Sequence, residues 1–581
     1  MRAALLQALL ACGCASVASG PPVPEQAPAP PVEVEAPTPP EESEAALPPP
    51  PLPLPVPEPP PPAVDLADPL DLLWGHRLEF ASGGEPLVTI GLMEGQREIS
   101  FRPQGPAHVL LRGGGTVDAP AGIRLTVRPR DAVAARVAWS AVVDEPFPSH
   151  EAAVALRREL EGDGMAARIR VSGPVYGIAG RVVDNRREQV VVEGDGGEAG
   201  AEATVARLRA LGRRAVLDKE IVIRPSGQLL LFGPGGAPLG EADSALTVLV
   251  EGEAVVVVES VEHELGSARA REDRSYKGRL FVTLDPEGAL AVIHGVPLEE
   301  LLRGIVPSEM PGNSPLEALK AQAVTARSNV LSQLGIRHLN DPFMLCAEVH
   351  CQAYRGDGAR TARTDEAVRA TRGEALFGVR DRRLVDGVYS AMCGGHGEDN
   401  DAVWGNAPSA SLRGRPDMPR EEAARWAGGL SRDIALRAFL SAPSAAYCRL
   451  PAASRDKFRW ERRLDPPRLE AIGEALGVGR VRSVRVTSRG ASGRARSVRV
   501  EGAHGVIDLG PELRIRHALG DLPSAMFVVD RDGDSLVLRG GGWGHGVGLC
   551  QWGAVGRAMS GQEYQEILRA YFSGAEVGKI Y

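Results

Sequence analysis

Three groups of residues in this 581-residue chain have side chains and spacings suited to chemistry. The first is one carboxyl group, Glu309, set in the apolar stretch Ile305-Val306-Pro307-Ser308-Glu309-Met310-Pro311. A carboxylate held among apolar neighbours loses hydration. This favours the neutral form and raises the pKa toward the range of a general acid. On pattern alone, a surface Glu beside a helix is the favoured reading. The second group is His338, Cys346, His350 and Cys351, spaced H-x7-C-x3-H-C. Two thiolates and two imidazoles are a full ligand set for structural zinc. The adjacent His-Cys departs from standard zinc spacings, and a Cys346–Cys351 disulfide is the alternative in an oxidising compartment. The third is the glycine-rich run from Gly540 to Gly548, which holds His545 and precedes Gln551. Glycines there let backbone approach a ligand closely, while tight turns around a satisfied histidine are the plainer alternative. Cys393, Cys448 and Cys550 remain. Cys393 and Cys448 are candidates to pair, but connectivity is not readable from spacing. His396 beside Cys393 reads as a turn histidine before a metal ligand.

The elements that must position these groups are legible around them. Ser314 reads as a helix N-cap, with Pro315 at the first helical position and Glu317 completing a capping box. Leu316, Leu319, Ala323, Val330 and Leu334 recur at helical spacing, and Gly335 suits a C-terminal stop. Glu309 is therefore expected in the loop just before that helix. Tyr276–His294 reads as strand, turn, strand. Upstream, residues 64–134 show short apolar runs (Leu87–Ile90, His108–Leu111, Ile123–Val127) separated by Gly and Pro, a small β region. Residues 135–265 open with two β-α copies. Arg136–Val143 is strand-like, and Ser149 caps a helix carrying Ala153, Leu156 and Leu160 on one face. Gln189–Val192 is again strand-like, and a helix near Ala201–Leu211 carries Val205 and Leu208. The expected class is α+β, β-rich with a few helices.

Composition narrows the function classes. Residues 21–63 hold 20 of the 47 prolines, and this stretch with Arg2 accounts for most of the net charge of -9. The rest is nearly neutral, which argues against a nucleic-acid footprint. No run approaches the roughly 18 apolar residues of a spanning helix. Residues 1–20 have the basic, apolar and small-residue order of a signal peptide. Leu9-Leu10-Ala11-Cys12 resembles a bacterial lipobox, with Cys12 the lipidated residue and Cys14 a competing position. An ordinary cleaved signal is the alternative. The Pro-rich segment then serves as an extended tether of about 3.1 Å per residue. Together these point to an exported, membrane-anchored protein of the cell envelope.

IVPSEMP followed by PLEALKAQAVTARS closely resembles the stage II sporulation protein D (SpoIID) family, which includes the LytB amidase enhancer. GVYSAMCGGHGEDNDAVWG (387–405), the segment 493–520, and GGWGHGVGLCQWGAVG (541–556) match further family motifs in order. The resemblance covers roughly residues 276–581. It implies a peptidoglycan lytic transglycosylase that cleaves between N-acetylmuramic acid and N-acetylglucosamine of denuded glycan strands and leaves 1,6-anhydro ends. Glu309 falls on the family's catalytic position. Gln322, Arg327, Ser390, Trp543, His545 and Gln551 become candidate substrate contacts, and Trp404 and Trp543 candidate stacking faces. Some family members carry zinc on a comparable His/Cys/His/Cys run, while others lack the cysteines. The rival role is a glycan-binding partner that enhances an N-acetylmuramoyl-L-alanine amidase. The two β-α copies in 135–265 resemble the SPOR repeat, a small peptidoglycan-binding module.

Overall fold

Apolar strands build two sheets, antiparallel except where Leu345–Cys346 joins Leu87–Gln96 in parallel, and the two share one core. The strand Ala107–Leu111 alternates, with Ala107, Val109 and Leu111 buried and the intervening residues half-buried, whereas Arg279–Leu284 and Leu290–Pro297 are buried nearly throughout. A computed structural model describes residues 68–581 apart from 144–146, 148–149, 179–180, 195, 266–267, 349, 406, 443 and 451–454. The expected signal segment, Cys12, Cys14, the expected Pro-rich tether and Ser149 lie outside the described residues. The fold is α+β. Among the described residues no helix is long and apolar enough to cross a membrane.

One sheet has seven strands in the order Leu345–Cys346, Leu87–Gln96, Leu290–Pro297, Arg279–Leu284, Ala245–Val250, Ala107–Leu111 and Thr116–Ala119. The other has six, from Pro238–Asp243 at one edge to Ala268–Lys277 at the other. The seven-stranded sheet therefore takes strands from 64–134, 135–265 and 276–581 alike. Val88, Leu125, Leu231, Val256 and Val292 meet in the shared core. The helices Leu298–Glu309 and Leu316–Gln333 pack into the same cluster, and the second is buried along nearly its whole length.

The two β-α copies interleave into one four-stranded antiparallel sheet. Its order is Ala215–Ile223, Arg136–Val143, Arg187–Glu193, Ala167–Ser172, and the helices His150–Gly162 and Gly197–Ala210 join its strands. This is a split βαβ arrangement. Ala153, Leu156, Leu160, Val205 and Leu208 face a separate small core, as their spacing predicts. A hairpin, Val175–Ile178 and Arg181–Asp184, projects from the layer, and its Tyr176 and Val183 enter the main core. Tyr176 Oη donates to the Leu331 carbonyl at 3.1 Å, so the layer is pinned to the end of the buried helix. Farther on, Arg459–Leu464, Ser535–Gly541 and Phe527–Asp532 form one small sheet, and Val481–Arg489, Ala495–Gly502 and Val506–Leu509 another, over a second core.

Two expectations around the site differ from the structure. The helix Leu298–Glu309 runs through Pro307 and ends on Glu309, so the carboxyl belongs to a helix terminus rather than to a preceding loop. Proline reads as a breaker because it lacks the N–H and crowds the carbonyl four residues back. Near the last turn only one such bond is lost, and Met310 N–H still reaches the Val306 carbonyl at 3.0 Å. The capping box is not formed either. The following helix begins at Leu316 with Pro315 as its cap and no side-chain cap bond. Glu317 instead pairs with Lys320 and accepts from Tyr564 N–H.

Candidate active site

Glu309 stands at the meeting point of four chain segments. Its Oε1 accepts from the Ala353 backbone N–H at 3.0 Å, and its Oε2 accepts from Gln551 Nε2 at 3.2 Å. Tyr389 lies beside the same carboxyl. The residue is half-buried, and burial pushes its pKa above the ordinary value, against the opposing pull of Ala353, Gln551 and Tyr389. A desolvated carboxyl holds its proton to higher pH than an ordinary one, and here donors are ready for the anion it leaves.

Each partner has a local reason to be where it is. Gln551 opens the helix Gln551–Met559, whose N-cap is Cys550. Tyr389-Ser390 pairs in parallel with Leu549-Cys550, which brings Tyr389 and Gln551 to one side of the carboxyl. Tyr389 Oη donates to Gln352 Oε1 at 3.1 Å, and Gln352 Nε2 donates to the Ala326 carbonyl at 3.3 Å, anchoring the group to the buried helix. Ala353, Gln352 and Tyr389 escaped the sequence reading. Tyr389 sits next to Ser390 in a matched motif, but a backbone N–H such as that of Ala353 leaves no trace in side-chain identity.

The other expected substrate contacts divide. Gln551 meets Glu309. Trp543 is exposed, with Lys457 Nζ 4.9 Å from its ring centroid. His545 sits in the cluster, but both nitrogens are engaged. Nδ1 accepts from Val547 N–H at 3.0 Å, so Nε2 carries the proton and donates to the Tyr389 carbonyl at 2.9 Å. Burial lowers its pKa to about 4, so the ring stays neutral and positions Tyr389. Its ring lies 5.1 Å from that of Trp404. Ser390 is buried, and its Oγ accepts from Gly546 N–H.

Arg327 and Gln322 depart from the expectation. Arg327 is fully buried and makes a two-pronged ion pair with Glu299 at 2.9 and 2.8 Å, with a further bond to the Glu374 carbonyl. Glu299 also accepts from Gly373 N–H and Tyr581 Oη. Burial alone would raise the Glu299 pKa, but Arg327 and these donors hold it below the ordinary value. Arg327 is thus a pin between two helices, with no donor facing outward. Gln322 is wholly enclosed, and its amide atoms have no partner among the described residues. Five residues apart on a helix buried all round, neither side chain reaches a glycan.

The His/Cys group converges. The ligand atoms of His338, Cys346, His350 and Cys351 all lie within 4.8 Å of one another. His338 Nδ1 is 2.7 Å from Asp341 Oδ2, which leaves Nε2 turned to Cys351 Sγ at 3.3 Å. A carboxylate behind the imidazole is the usual support of a metal-binding histidine. Cys346 and Cys351 are both free thiols. The donor set fits a tetrahedral thiolate–imidazole metal. Cys346 is docked on the central sheet opposite Gly91, and the loop runs from Cys351 directly to Gln352 and Ala353. A wide polar groove of about 1430 Å³ lies between the αβ layer and residues 378–415, lined by Arg187, Asp386, Trp404 and Arg413 among others but not by Glu309.

Comparison with known proteins adds two domain matches. Residues 286–377 match the model of SpoIID, stage II sporulation protein, and residues 398–548 match a domain of unknown function (DUF8618). An uncharacterised protein of Brachyspira hyodysenteriae (strain ATCC 49526 / WA1) is 25% identical over 290 residues, 50% of this chain and 68% of that protein. The amidase enhancer of Bacillus subtilis (strain 168) is 26% identical over 297 residues, 47% of this chain but only 39% of that protein. Stage II sporulation protein D of the same organism is 23% identical over 306 residues, 49% of this chain and 76% of that protein.

Proposed function

We propose that this chain, whose C-terminal half belongs to the SpoIID/LytB family, has a cell-wall role as a lytic transglycosylase with Glu309 as its acid and base. The observation that carries this reading is the half-buried Glu309, with its burial-raised carboxyl between the Ala353 N–H and Gln551. The protonated carboxyl donates to the oxygen linking N-acetylmuramic acid to N-acetylglucosamine. That bond breaks as the muramic C1 gains oxocarbenium character. The carboxylate, now stabilised by its two donors, takes the proton from the C6 hydroxyl of the same sugar. The C6 oxygen closes on C1 and gives the 1,6-anhydro end. One carboxyl serves both transfers, so the second carboxylate of ordinary glycosidases is not needed. No Asp or Glu is among the hydrogen-bond partners of Glu309 in the described residues.

Residues 68–581 and their Glu309→Gln version are incubated with denuded glycan strands and the products weighed by mass spectrometry. The expected outcome is anhydro-muramic ends from the parent and a loss of at least about 10²–10⁴-fold in the variant, the usual contribution of a general acid. Equal product from both would sink the reading.

His338, Cys346, His350 and Cys351 would hold zinc as a structural ion, fixing the loop that presents Ala353 to Glu309. Bound zinc there supplies a cross-link, and the proton transfers stay with Glu309. Chelation should release zinc, measured by metal analysis, and lower the melting temperature. A Cys346–Cys351 disulfide, seen as a mass lower by two hydrogens, would remove this part of the proposal.

A second reading has its own support in the match to the B. subtilis amidase enhancer. Here the chain binds glycan and stimulates an N-acetylmuramoyl-L-alanine amidase. Strand binding without products, with faster cleavage when an amidase is added, would favour it. Lipidation of Cys12, anchoring the chain in the envelope, is tested by the mass of the N-terminal peptide of the mature protein.

A further inference from the structure

A second group of metal-ligating side chains lies beside the site, on different segments from the first. Cys393, Asp417, Cys448 and Cys550 are all buried, with ligand atoms within 4.8 Å of one another. The three cysteines are free thiols, and Cys393 Sγ is 3.7 Å from Cys448 Sγ. A tetrahedral ion with metal–sulfur bonds of about 2.3 Å spaces its sulfurs about 3.8 Å apart.

The surroundings suit charged sulfur. Cys550 Sγ accepts from the Cys393 N–H at 3.1 Å and the Gly553 N–H at 3.2 Å, and Cys393 Sγ accepts from Gly395 N–H at 3.4 Å. Such donors reward a thiolate more than a thiol. Asp417 is held from behind, with Oδ1 on Arg557 at 2.9–3.0 Å and Oδ2 on Tyr571 Oη at 2.9 Å, the support expected of a ligating carboxylate.

Charge provides an independent argument. Arg494 is buried and Arg459 largely so, and neither has a carboxylate within 4.0 Å among the described residues. Their guanidiniums donate instead to backbone carbonyls of the cysteine loop. Arg494 reaches Cys393 at 3.1 Å, and Arg459 reaches Gly394 at 2.9 Å. Arg494 is answered by the buried Glu398 through Ser492, whose Oγ accepts from Arg494 Nη1 at 2.9 Å and donates to Glu398 Oε2 at 2.6 Å. Arg459 has only backbone carbonyls as hydrogen-bond partners among the described residues, and a largely enclosed cation without a counter-charge is costly. Three thiolates and a carboxylate around a dication leave a net charge of about -2. Arg557, paired with Asp417, takes up one unit, and the remaining charge of about -1 answers Arg459.

We propose that Cys393, Asp417, Cys448 and Cys550 form a second, structural zinc site that clamps the strand carrying Tyr389 to the helix that begins at Gln551. Both of those residues touch the Glu309 carboxyl, so the site holds the two sides of the cleft at a fixed separation. Its ligands come from four segments, and binding would release the protons of three thiols to solvent as three metal–sulfur bonds form.

The full chain is prepared as Cys346→Ser/Cys351→Ser, which removes the first set of thiols, and exposed to zinc alone and then dialysed. The expected result is one retained equivalent of zinc by metal analysis. Exchange for cobalt should give the intense visible bands of a tetrahedral ion and near-ultraviolet thiolate charge transfer. Adding Cys448→Ser should abolish both signals. Asp417→Asn, which keeps all three sulfurs, should weaken zinc binding at least tenfold. If the Cys448 variant does not fold, the parent double variant still decides the matter. Peptide mapping that finds Cys393 joined to Cys448, or three reduced thiols without metal after exposure to zinc, would overturn the proposal.

Discussion

Glu309 gains its proton affinity from the loss of water around it, and that cause has two measurable effects of opposite benefit. Above the raised pKa the carboxyl is ionised and cannot protonate a leaving group. On the alkaline limb kcat/KM should therefore fall about tenfold per pH unit, and the limb should lie above that of an ordinary carboxylic acid. The folded state also binds this proton more tightly than the unfolded chain, whose reference value is 4.5. Its contribution to stability is full below that value and is lost as pH rises through the folded pKa. Glu309→Gln removes the buried charge, and a rotated Gln551 amide can still pair with it. The variant should melt higher than the parent at about pH 8, with the gap closing toward about pH 4, as calorimetry at both pH values would check. The residue scale also marks where sequence reading stops. Glu309 is legible because its apolar setting is local. Arg327 is not, since its partner Glu299 is 28 positions away and an arginine on a helix looks the same whether it faces a glycan or an ion pair.

The helix that ends on Glu309 is braced by the buried helix Leu316–Gln333, and the Glu299–Arg327 pair joins the two. Arg327→Met should cost about 3–5 kcal/mol by denaturant unfolding, because it strands a buried carboxylate. In protein that remains folded, KM for glycan should be unchanged, a result that a substrate-binding arginine would not give. A different constraint acts at Gly553, in the first turn of the Gln551–Met559 helix. A Cβ there would lie 2.1 Å from Tyr571 Oη and 2.4 Å from Asp417 Oδ2. Gly553→Ala should cost about 1–3 kcal/mol in the same assay through overpacking, and should shift Gln551 enough to lower activity. Helical periodicity made the Leu316–Gln333 helix readable, including its stop at Gly335, which takes a φ of 66°. The helix before it was hidden by Pro307, since a proline late in a helix carries the same letter as one that ends it.

At the scale of the molecule, strands far apart in the chain complete one another's sheets. Individual strands such as Arg136–Val143 are legible from alternation, but their partners are not, because pairing is decided by which edges remain open after collapse. The αβ layer is attached through Tyr176 and Val183 in the main core and by polar contacts. Besides Tyr176, Asn340 Oδ1 accepts from Ile221 N–H at 3.0 Å, and its amide donates to the Lys219 carbonyl. Asn340→Ala should speed limited proteolysis within 150–223 severalfold while leaving the main melting transition within about 1–2 °C, because the layer has its own core. The order of the Glu309 partners along the chain has a consequence in time. The carboxyl is made at position 309, whereas its holders are Ala353, Tyr389 and finally Gln551. A growing chain thus carries its acid for some 240 residues of synthesis, about 12–48 s at ordinary ribosome speeds, before the last group that tunes it exists. The carboxyl at 309 therefore acquires its full set of partners only once the start of the helix Gln551–Met559 has been made.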